Sequence, residues 1–329
     1  MYGDNAQGKT NILEAIYVAA TTKSHKSSKD KEIINFDKEE AHIRVYMEKD
    51  NVENRIDMHL RKTKSKGIAI DGQKIKKAAE LIGLCNVIFF SPEDLGIIKN
   101  GPAERRRFVD MELCQLDGFY LYNLNNYNKI VNQRNKLLKD LYFQPGLRET
   151  LSIWDSQLVS YGSKIIERRI AFVKQLNEII FDIHKKLSGG RQELEIVYEP
   201  DVLMEDYERS LALSQDRDIK HKMTNVGPHR DDFSFMVRKV DSENETERFE
   251  AVDIRKFGSQ GQQRTAALSL KLSEIELVKK LTKDTPLLLL DDVLSELDSN
   301  RQNYLLNSIG GIQTIITCTG LEEFVNNRF

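Results

Sequence analysis

The sequence predicts an α/β fold in which a mixed sheet surrounds a phosphate-binding loop, with an antiparallel β-subdomain and an inserted helical arm domain. Three observations support this prediction. A Gly-x-x-x-x-Gly-Lys-Thr motif at residues 3–10 is followed directly by a helical pattern. The apolar run 287–290, typical of a buried parallel strand, ends in two aspartates. Residues 105–187 have an almost uninterrupted helical pattern, which predicts the inserted arm.

Composition limits the classes of protein that need to be considered. The 329 residues are 40% hydrophobic and carry a formal net charge of -2, so a nucleic-acid site would have to be a local basic patch. The 3 cysteines, at positions 85, 114 and 318, lack metal-binding spacing and predict reduced thiols in a cytoplasmic protein. We find no apolar run of membrane-spanning length and expect no membrane partner.

The N-terminal motif predicts a nucleotide site. Its residues are Gly3, Asp4, Asn5, Ala6, Gln7, Gly8, Lys9 and Thr10. The glycines allow successive backbone N–H groups to form a nest for phosphates at the positive end of a helix. We expect Lys9 to reach the β- and γ-phosphates and Thr10 to ligate Mg²⁺. A glycine-rich turn that matches the pattern by chance is the alternative.

Three segments after the first helix alternate between apolar and polar residues, which predicts an antiparallel sheet with one solvated face. Their apolar positions are 43, 45 and 47, then 56, 58 and 60, then 68 and 70. Asp71-Gly72 is a turn signal. Arg61, Lys62, Lys64 and Lys66 follow one another with no acidic residue among them. They could bind DNA phosphates, or they could protect an edge strand from pairing; the sequence leaves both readings open.

Residues 148–187 predict one long helix. Apolar residues recur at positions 151, 154, 158, 165, 172, 176, 179 and 183, which is the spacing of a helix-packing seam. Such a helix would be roughly 60 Å long, so we expect a projecting arm. Farther along, His229 and Arg230 lie in the run Gly-Pro-His-Arg-Asp-Asp at 227–232. They could contact a phosphate or a partner, or form a structural turn with an Arg–Asp pair.

The second half of the predicted site is the acidic end of the run 287–290. Asp291 would hold Mg²⁺ opposite Lys9 and Thr10, and Asp292 would polarise the attacking water. A second helix N-terminus that could bind an anion begins near Ser259, a candidate N-cap flanked by Gly258 and Gly261. Because one site rarely uses two such elements from the same subunit, we expect the second to act on a γ-phosphate held by another copy.

Several motifs together resemble those of the RecF family. Ser-Gln-Gly-Gln-Gln at 259–263 is similar to the signature of ABC-type ATPases, Asp291-Asp292 to their Walker B motif and Ser-Glu-Leu-Asp at 295–298 to their D-loop. The RecF resemblance rests on residues 3–11, Phe-Ser-Pro-Glu-Asp-Leu at 90–95, Gly-Pro-x-x-x-Arg-Arg at 101–107, the run 227–232 and Phe-Gly-Ser-Gln-Gly-Gln-Gln-Arg-Thr at 257–265. These motifs span the whole chain.

The resemblance implies an ABC-type P-loop ATPase head that binds ATP and Mg²⁺ and dimerises when ATP is bound. ATP and Mg²⁺ would be bound within one chain by residues 3–10, Asn11 and Asp291. The same ATP would be contacted from a second chain by Ser259, Gln260, Gly261 and Gln262. Hydrolysis would be slow and DNA-dependent and would involve Asp292. The family acts in DNA replication, DNA damage repair and the SOS response. Its partners are single- and double-stranded DNA at gaps and junctions, and the proteins RecO and RecR. Together with RecO and RecR, members of the family load RecA.

In these terms, residues 1–100 would form the N-terminal part of the ATPase head, 101–190 the helical arm or lid, and 191–329 the C-terminal part of the head. Only Met1 and Tyr2 precede the phosphate loop, so the first strand of the family is expected to be missing. An ABC-type ATPase scaffold with little hydrolysis is therefore an alternative function. Two other functions are less compatible with the sequence. A transport ATPase subunit is disfavoured because the sequence has no signal for a membrane partner, and a small-molecule kinase is disfavoured because it would not need the 259–263 motif.

Overall fold

The computed structural model describes residues 1, 7–26, 29–49, 51–240 and 250–318. Its helices are α1 (Lys9–Thr21), α2 (Leu95–Lys99), α3 (Pro102–Leu116), α4 (Gly118–Asp140), α5 (Leu151–Leu187), α6 (Tyr207–His221), α7 (Ile254–Phe257), α8 (Gln260–Thr282) and α9 (Ser299–Ser308). Its strands are β1 (Glu40–Lys49), β2 (Val52–Arg61), β3 (Gly67–Ile70), β4 (Gln73–Lys74), β5 (Val87–Phe90), β6 (Gln192–Glu199), β7 (Asp232–Lys239), β8 (Val252–Asp253), β9 (Leu287–Asp291) and β10 (Thr314–Thr317). Among these described helices, none combines the length and apolar character needed to cross a bilayer.

The chain divides into two compact units. The first contains Met1–Asp94 and Glu274–Phe329, and the second contains Leu95–Ser273. This division differs from the three segments predicted at 1–100, 101–190 and 191–329. Residues 191–273 group with the helices because β6 pairs with β7 and also packs against α5.

The first unit contains a parallel sheet in the order β10-β9-β5. Leu288, Leu289 and Leu290 of the central strand β9 are at most 2% exposed, as expected for a strand covered on both faces. The backbone of Met1 lies beside β10. Its amino group donates to the Ile316 carbonyl at 2.7 Å, and its carbonyl accepts from the Cys318 N–H at 3.3 Å.

The first unit also contains an antiparallel sheet in the order β1-β2-β3-β4. Ile56 and Met58 of β2 and Ile68 of β3 are buried together with Val18 of α1. Asp71 and Gly72 form the two-residue turn between β3 and β4 with φ of 51° and 80°, the conformation that hairpin turns of type I′ require. The predicted alternation, solvated face and turn are all confirmed.

The second unit is built around α5. This helix begins at Leu151 instead of residue 148, because Pro145–Thr150 form a 3₁₀ segment before it. Its buried residues extend from Leu151 to His184, and it packs against α4, α6 and β6. The predicted packing seam is therefore confirmed. The projecting arm stays a prediction, while α5 itself is covered by other elements along its buried face.

The run 227–232 forms part of the ionic core of the second unit. Arg169 of α5 is 1% exposed and donates to the Asp231 carboxylate at 2.7 Å and to the Pro228 carbonyl at 2.6 Å. Arg105 of α3 donates to both carboxylate oxygens of Asp232, at 2.7 and 3.0 Å. Removing one partner of such a buried pair leaves an uncompensated charge. The two aspartates of the run thus have a structural role, with partners on α3 and α5, whereas Arg230 donates to the Thr224 carbonyl at 3.3 Å. A phosphate or partner contact by His229 and Arg230 stays a prediction.

Candidate nucleotide-binding site

A pocket in the first unit brings together the two halves of the predicted site. It has a volume of about 420 Å³ and lies where α1 begins and where β5, β9 and β10 end. Gly8 precedes α1 with φ 83°, a left-handed conformation that favours glycine. Gln7, Gly8, Lys9, Thr10 and Asn11 line the pocket, while the predicted residues Gly3, Asp4, Asn5 and Ala6 lie outside the described part of the chain.

Asp291 connects three elements of this pocket. Its Oδ1 accepts a hydrogen bond from the Thr10 hydroxyl of α1 at 2.9 Å and another from the Thr317 hydroxyl of β10 at 2.6 Å. The residue is only 7% exposed, so water has little access to its carboxylate and the two hydroxyls are its main hydrogen-bond donors among the described residues. The carboxyl ends of parallel strands meet at one edge of a sheet, which explains why the last residues of β9 and β10 come into contact.

Asp292 turns the chain away from β9. Its φ is 51°, which is uncommon outside glycine and best tolerated by Asp and Asn. Its backbone N–H is shared between the carbonyl and the hydroxyl of Thr317, both at 3.2 Å. Fixed contacts of this kind maintain a strained backbone, as is frequent at functional sites. Asp292 lines the same pocket as Lys9.

Sequence reasoning did not identify Thr317 or the segment that follows β5 as parts of the site. Ser91, Pro92 and Glu93 line the pocket, and Glu93 pairs with Lys26 at 3.1 Å. Thr317 is 2% exposed and orients Asp291. The available signal was positional: each of these residues ends or follows a short apolar strand, and such strand ends gather at one edge of a parallel sheet.

The donor set in this pocket fits a magnesium ion. Thr10 provides a hydroxyl oxygen and Asp291 a carboxylate oxygen, 2.9 Å apart. Both are hard oxygen ligands, and Mg²⁺ in nucleotide sites uses one or two protein oxygens together with water and phosphate oxygens. Lys9 at the start of α1 adds a positive charge on the same wall.

The predicted signature forms the N-terminal turn of α8. The Ser259 hydroxyl accepts from the Gln262 N–H at 3.3 Å, and the Gln262 side chain accepts from the Ser259 N–H at 2.8 Å, which is a capping box. The predicted N-cap is confirmed. A Cβ on Gly258 would lie 2.5 Å from the Ile254 carbonyl oxygen, so glycine is required there, whereas a Cβ on Gly261 would meet nothing within 4 Å in the described chain.

Ser259, Gln260 and Gly261 are exposed, and Gln262 is half-buried. The buried side chain of Gln263 fixes the turn by donating to the Ile254 carbonyl at 3.1 Å. The four signature residues thus present an ordered helix N-terminus to solvent. Free N–H groups at such a terminus attract anions.

The predicted DNA-binding residues differ in the hydrogen bonds and ion pairs that their side chains make with the rest of the chain. Lys66 pairs with Asp30 at 2.9 Å and also donates to the Thr22 carbonyl. Lys62 donates to the Phe36 carbonyl at 3.0 Å and lies 3.6 Å from Glu39. Arg61 donates to the Ser65 carbonyl at 2.7 Å, and Lys64 is exposed. The acids that pair with Lys62 and Lys66 come from elsewhere in the chain, so the four side chains do not act as one free patch.

The comparisons with known proteins agree with this geometry. The family model described as RecF/RecN/SMC N terminal domain matches residues 1–326. The DNA replication and repair protein RecF of Lachnoclostridium phytofermentans is 63% identical over 328 residues, covering 100% of this chain and 88% of that protein. The protein of the same name from Clostridium acetobutylicum is 44% identical over 335 residues, covering 99% of this chain and 88% of that protein.

Solved structures show the same fold. The recombination mediator protein RecF with ATP, from the RecFOR pathway, superimposes with a TM-score of 0.86 and 36% identity, covering 98% of this chain and 86% of that one. An Smc head bound to the C-terminal winged-helix domain of ScpA matches with a TM-score of 0.50 at 16% identity, over 97% of this chain and 81% of that one, which supports the ATPase-head fold alone. The chain belongs to the RecF family, within the wider group of RecF, RecN and SMC N-terminal domains.

Proposed function

We propose that this chain is an ATP-dependent DNA-binding protein of recombinational repair and replication restart. A relative that is 63% identical to it is named for DNA replication and repair. The similar solved structure contains ATP and is described as a recombination mediator of the RecFOR pathway. The observation that carries the proposal is the contact between Thr10 and Asp291, because it joins the phosphate loop to the acidic strand end in one pocket.

In the proposed cis site, the N–H groups around Gly8 and the start of α1 bind the ATP phosphates, and Lys9 neutralises their charge. Asn11 borders the same pocket. Thr10 and Asp291 hold Mg²⁺, which when bound offsets negative charge on the β- and γ-phosphates. Asp292 accepts a hydrogen bond from the attacking water. A carboxylate as short as that of Asp is consistent with slow, DNA-dependent hydrolysis that times release.

In the proposed trans site, the signature at the start of α8 binds the γ-phosphate held by a second copy. Ser259, Gln260 and Gly261 are exposed, although the Ser259 capping box already holds the first turn in order. Glycine normally costs about 1 kcal/mol in a helix, and no neighbour in the described chain requires it at position 261. An external group that approaches this backbone closely would explain why a glycine is present.

The proposed partners are single- and double-stranded DNA at gaps and junctions, RecO and RecR, and a second copy of the chain. The relevant reaction would be the loading of RecA, in the cytoplasm and during the response to DNA damage. For direct DNA contact we propose Lys64 first, since it is exposed. Arg61, Lys62 and Lys66 could contribute only after exchanging the partners described above.

Replacing the phosphate-loop lysine tests the proposal. We expect Lys9→Ala to remove the increase in DNA retention that ATP and Mg²⁺ produce in a filter-binding assay, because the loop loses its phosphate-neutralising charge. Lys23→Ala removes one exposed lysine from the same unit and should behave like the unsubstituted chain. If Lys9→Ala retains DNA in response to ATP as well as Lys23→Ala does, ATP-gated DNA binding at this site is wrong.

A further inference from the structure

The solvated face of the β1–β2 hairpin carries three side chains with metal-ligating atoms. His42 of β1 lies directly opposite His59 of β2 in the antiparallel register. Their rings stack with centroids 4.1 Å apart and planes inclined by 22°. Glu40 precedes His42 by two residues, so it projects from the same face of β1. None of these residues belongs to the nucleotide pocket.

The nitrogen atoms of the two rings converge on one carboxylate. His59 Nε2 lies 2.7 Å from one oxygen of Glu40, and His42 Nε2 lies 3.9 Å from the other. The ligand atoms of all three residues fall within 4.8 Å of one another. Tetrahedral zinc with bonds near 2.0 Å separates its ligand atoms by roughly 3.3 Å. The observed separations bracket this value, so modest side-chain rotations would complete the site.

Neighbouring positive charges are directed to other partners. Arg44 Nε lies 2.5 Å from the Asp57 carboxylate, and Arg61 donates to the Ser65 carbonyl at 2.7 Å. Arg61 is opposite Glu40 in the register, but the contacts of Glu40 described above are to imidazoles. The carboxylate can therefore compensate the charge of a cation held between the two rings.

We propose that Glu40, His42 and His59 form a binding site for a divalent transition-metal ion of the zinc class. Two imidazoles and one carboxylate are ligands that Zn²⁺ accepts, and the exposed face leaves a fourth position for water. β1 is an edge strand of its sheet. A metal bound across its pair with β2 joins this edge strand to the interior of the sheet.

The test is a titration of the full chain with Zn²⁺ alone, without nucleotide, in competition with a zinc-sensitive dye. We expect one site, weakened at least about tenfold in His42→Ala and in His59→Ala because each removes one of three protein ligands. His221→Ala, which removes an exposed histidine at the end of α6, should bind zinc as the unsubstituted chain does. Equal zinc affinity in all four proteins would overturn the proposal.

Two measurements on the unsubstituted chain keep the proposal testable if the variants fold poorly. With one equivalent of Zn²⁺, the ring NMR signals of His42 and His59 should move together while those of His221 stay in place. With Co²⁺ as the probe, the visible spectrum should lack intense thiolate bands. Thiolate bands, or shifts confined to other histidines, would assign the metal to a different site and refute this one.

Discussion

At the scale of single residues, the Asp291 carboxylate depends on hydroxyls from two other elements. Thr10 on α1 and Thr317 on β10 both donate to the same oxygen, at 2.9 and 2.6 Å. The sequence indicated Thr10 and Asp291 because a phosphate loop and an acidic strand end are local patterns. Thr317 could not be predicted in the same way, since its role arises only when β10 pairs with β9 in this register.

Thr317→Val tests this arrangement, because it preserves the side-chain shape and removes the hydroxyl. We expect the Mg²⁺ concentration needed for ATP binding to rise by about tenfold, since a residue that orients a metal ligand contributes 10–100-fold to metal affinity. A fluorescent ATP analogue titrated with Mg²⁺ measures the effect. Thr314→Val on the same strand is the control, as its hydroxyl donates to the Ile312 carbonyl. An equal Mg²⁺ requirement in both variants would show that Thr317 has no such role.

His229 gives the second unit a predictable response to pH. Burial lowers the pKa of His229 to about 4, while its ring contacts the Tyr127 hydroxyl at 2.7 Å and the Thr224 carbonyl at 3.1 Å. The unfolded chain has a histidine pKa of about 6.5, so between pH 6.5 and pH 4 the unfolded state binds the additional proton. Protonation therefore favours unfolding as the pH falls through this window, and the stability is restored above it.

From pH 7 to pH 5 this group should lower the free energy of unfolding by about 2 kcal/mol. Urea denaturation of the unsubstituted chain and of His229→Gln at both pH values measures the contribution, and the glutamine variant should lose less stability over the interval. His221→Gln, at an exposed position, is the matched control. If His229→Gln and the unsubstituted chain show the same change with pH, His229 does not carry this effect.

At the scale of elements, the periodicity of apolar residues predicted the strands of the antiparallel sheet and the course of α5. It could not predict which polar residues would be drawn into contacts between elements. Lys62 and Lys66 appeared free of acids in the sequence, yet Glu39 and Asp30 pair with them in the fold. Gly162 inside α5 is a second feature that periodicity does not explain, because the reason for a glycine there is its packing against other elements.

Gly162→Ala separates helix propensity from packing in α5. Alanine favours a helix over glycine by about 1 kcal/mol, which alone predicts a more stable protein. A Cβ at this position would lie 2.5 Å from Tyr207 Cε1, and the ring of Tyr207 is 0% exposed with its hydroxyl 3.1 Å from that of Tyr127. Because this ring cannot easily move aside, overpacking should dominate at about 1–3 kcal/mol.

We therefore expect Gly162→Ala to lower the free energy of unfolding by about 1 kcal/mol in urea denaturation. Gly118→Ala, at the first position of α4, provides the comparison, since a Cβ there would meet no atom of the described residues within 4 Å. Its stability should be unchanged or slightly higher. A stabilising effect of Gly162→Ala would mean that the two tyrosines repack at little cost.

At the scale of the whole molecule, the sequence motifs predicted the family, whereas the grouping of residues into units required the fold. Residues 191–273 belong with α5 because strand pairing between β6 and β7 and packing against the helix outweigh their position in the chain. The signature of α8 was predicted down to its N-cap. Its proposed role depends on a second copy of the chain, because Ser259 and Gly261 are exposed and the proposal assigns them to a γ-phosphate held by that copy.

Ser259→Arg tests whether that surface is completed by a second copy. The larger, charged side chain should leave binding of ATP by single chains intact, because the cis residues are unchanged. It should also raise the dimer dissociation constant with ATP and Mg²⁺ at least about tenfold, as 1.4 kcal/mol of lost contact is sufficient for that change. Sedimentation velocity measures both species. Ser156→Arg places the same substitution at an exposed position of α5 and should dimerise normally. Dimers of Ser259→Arg that are as stable as those of Ser156→Arg would exclude the start of α8 from the dimer contact.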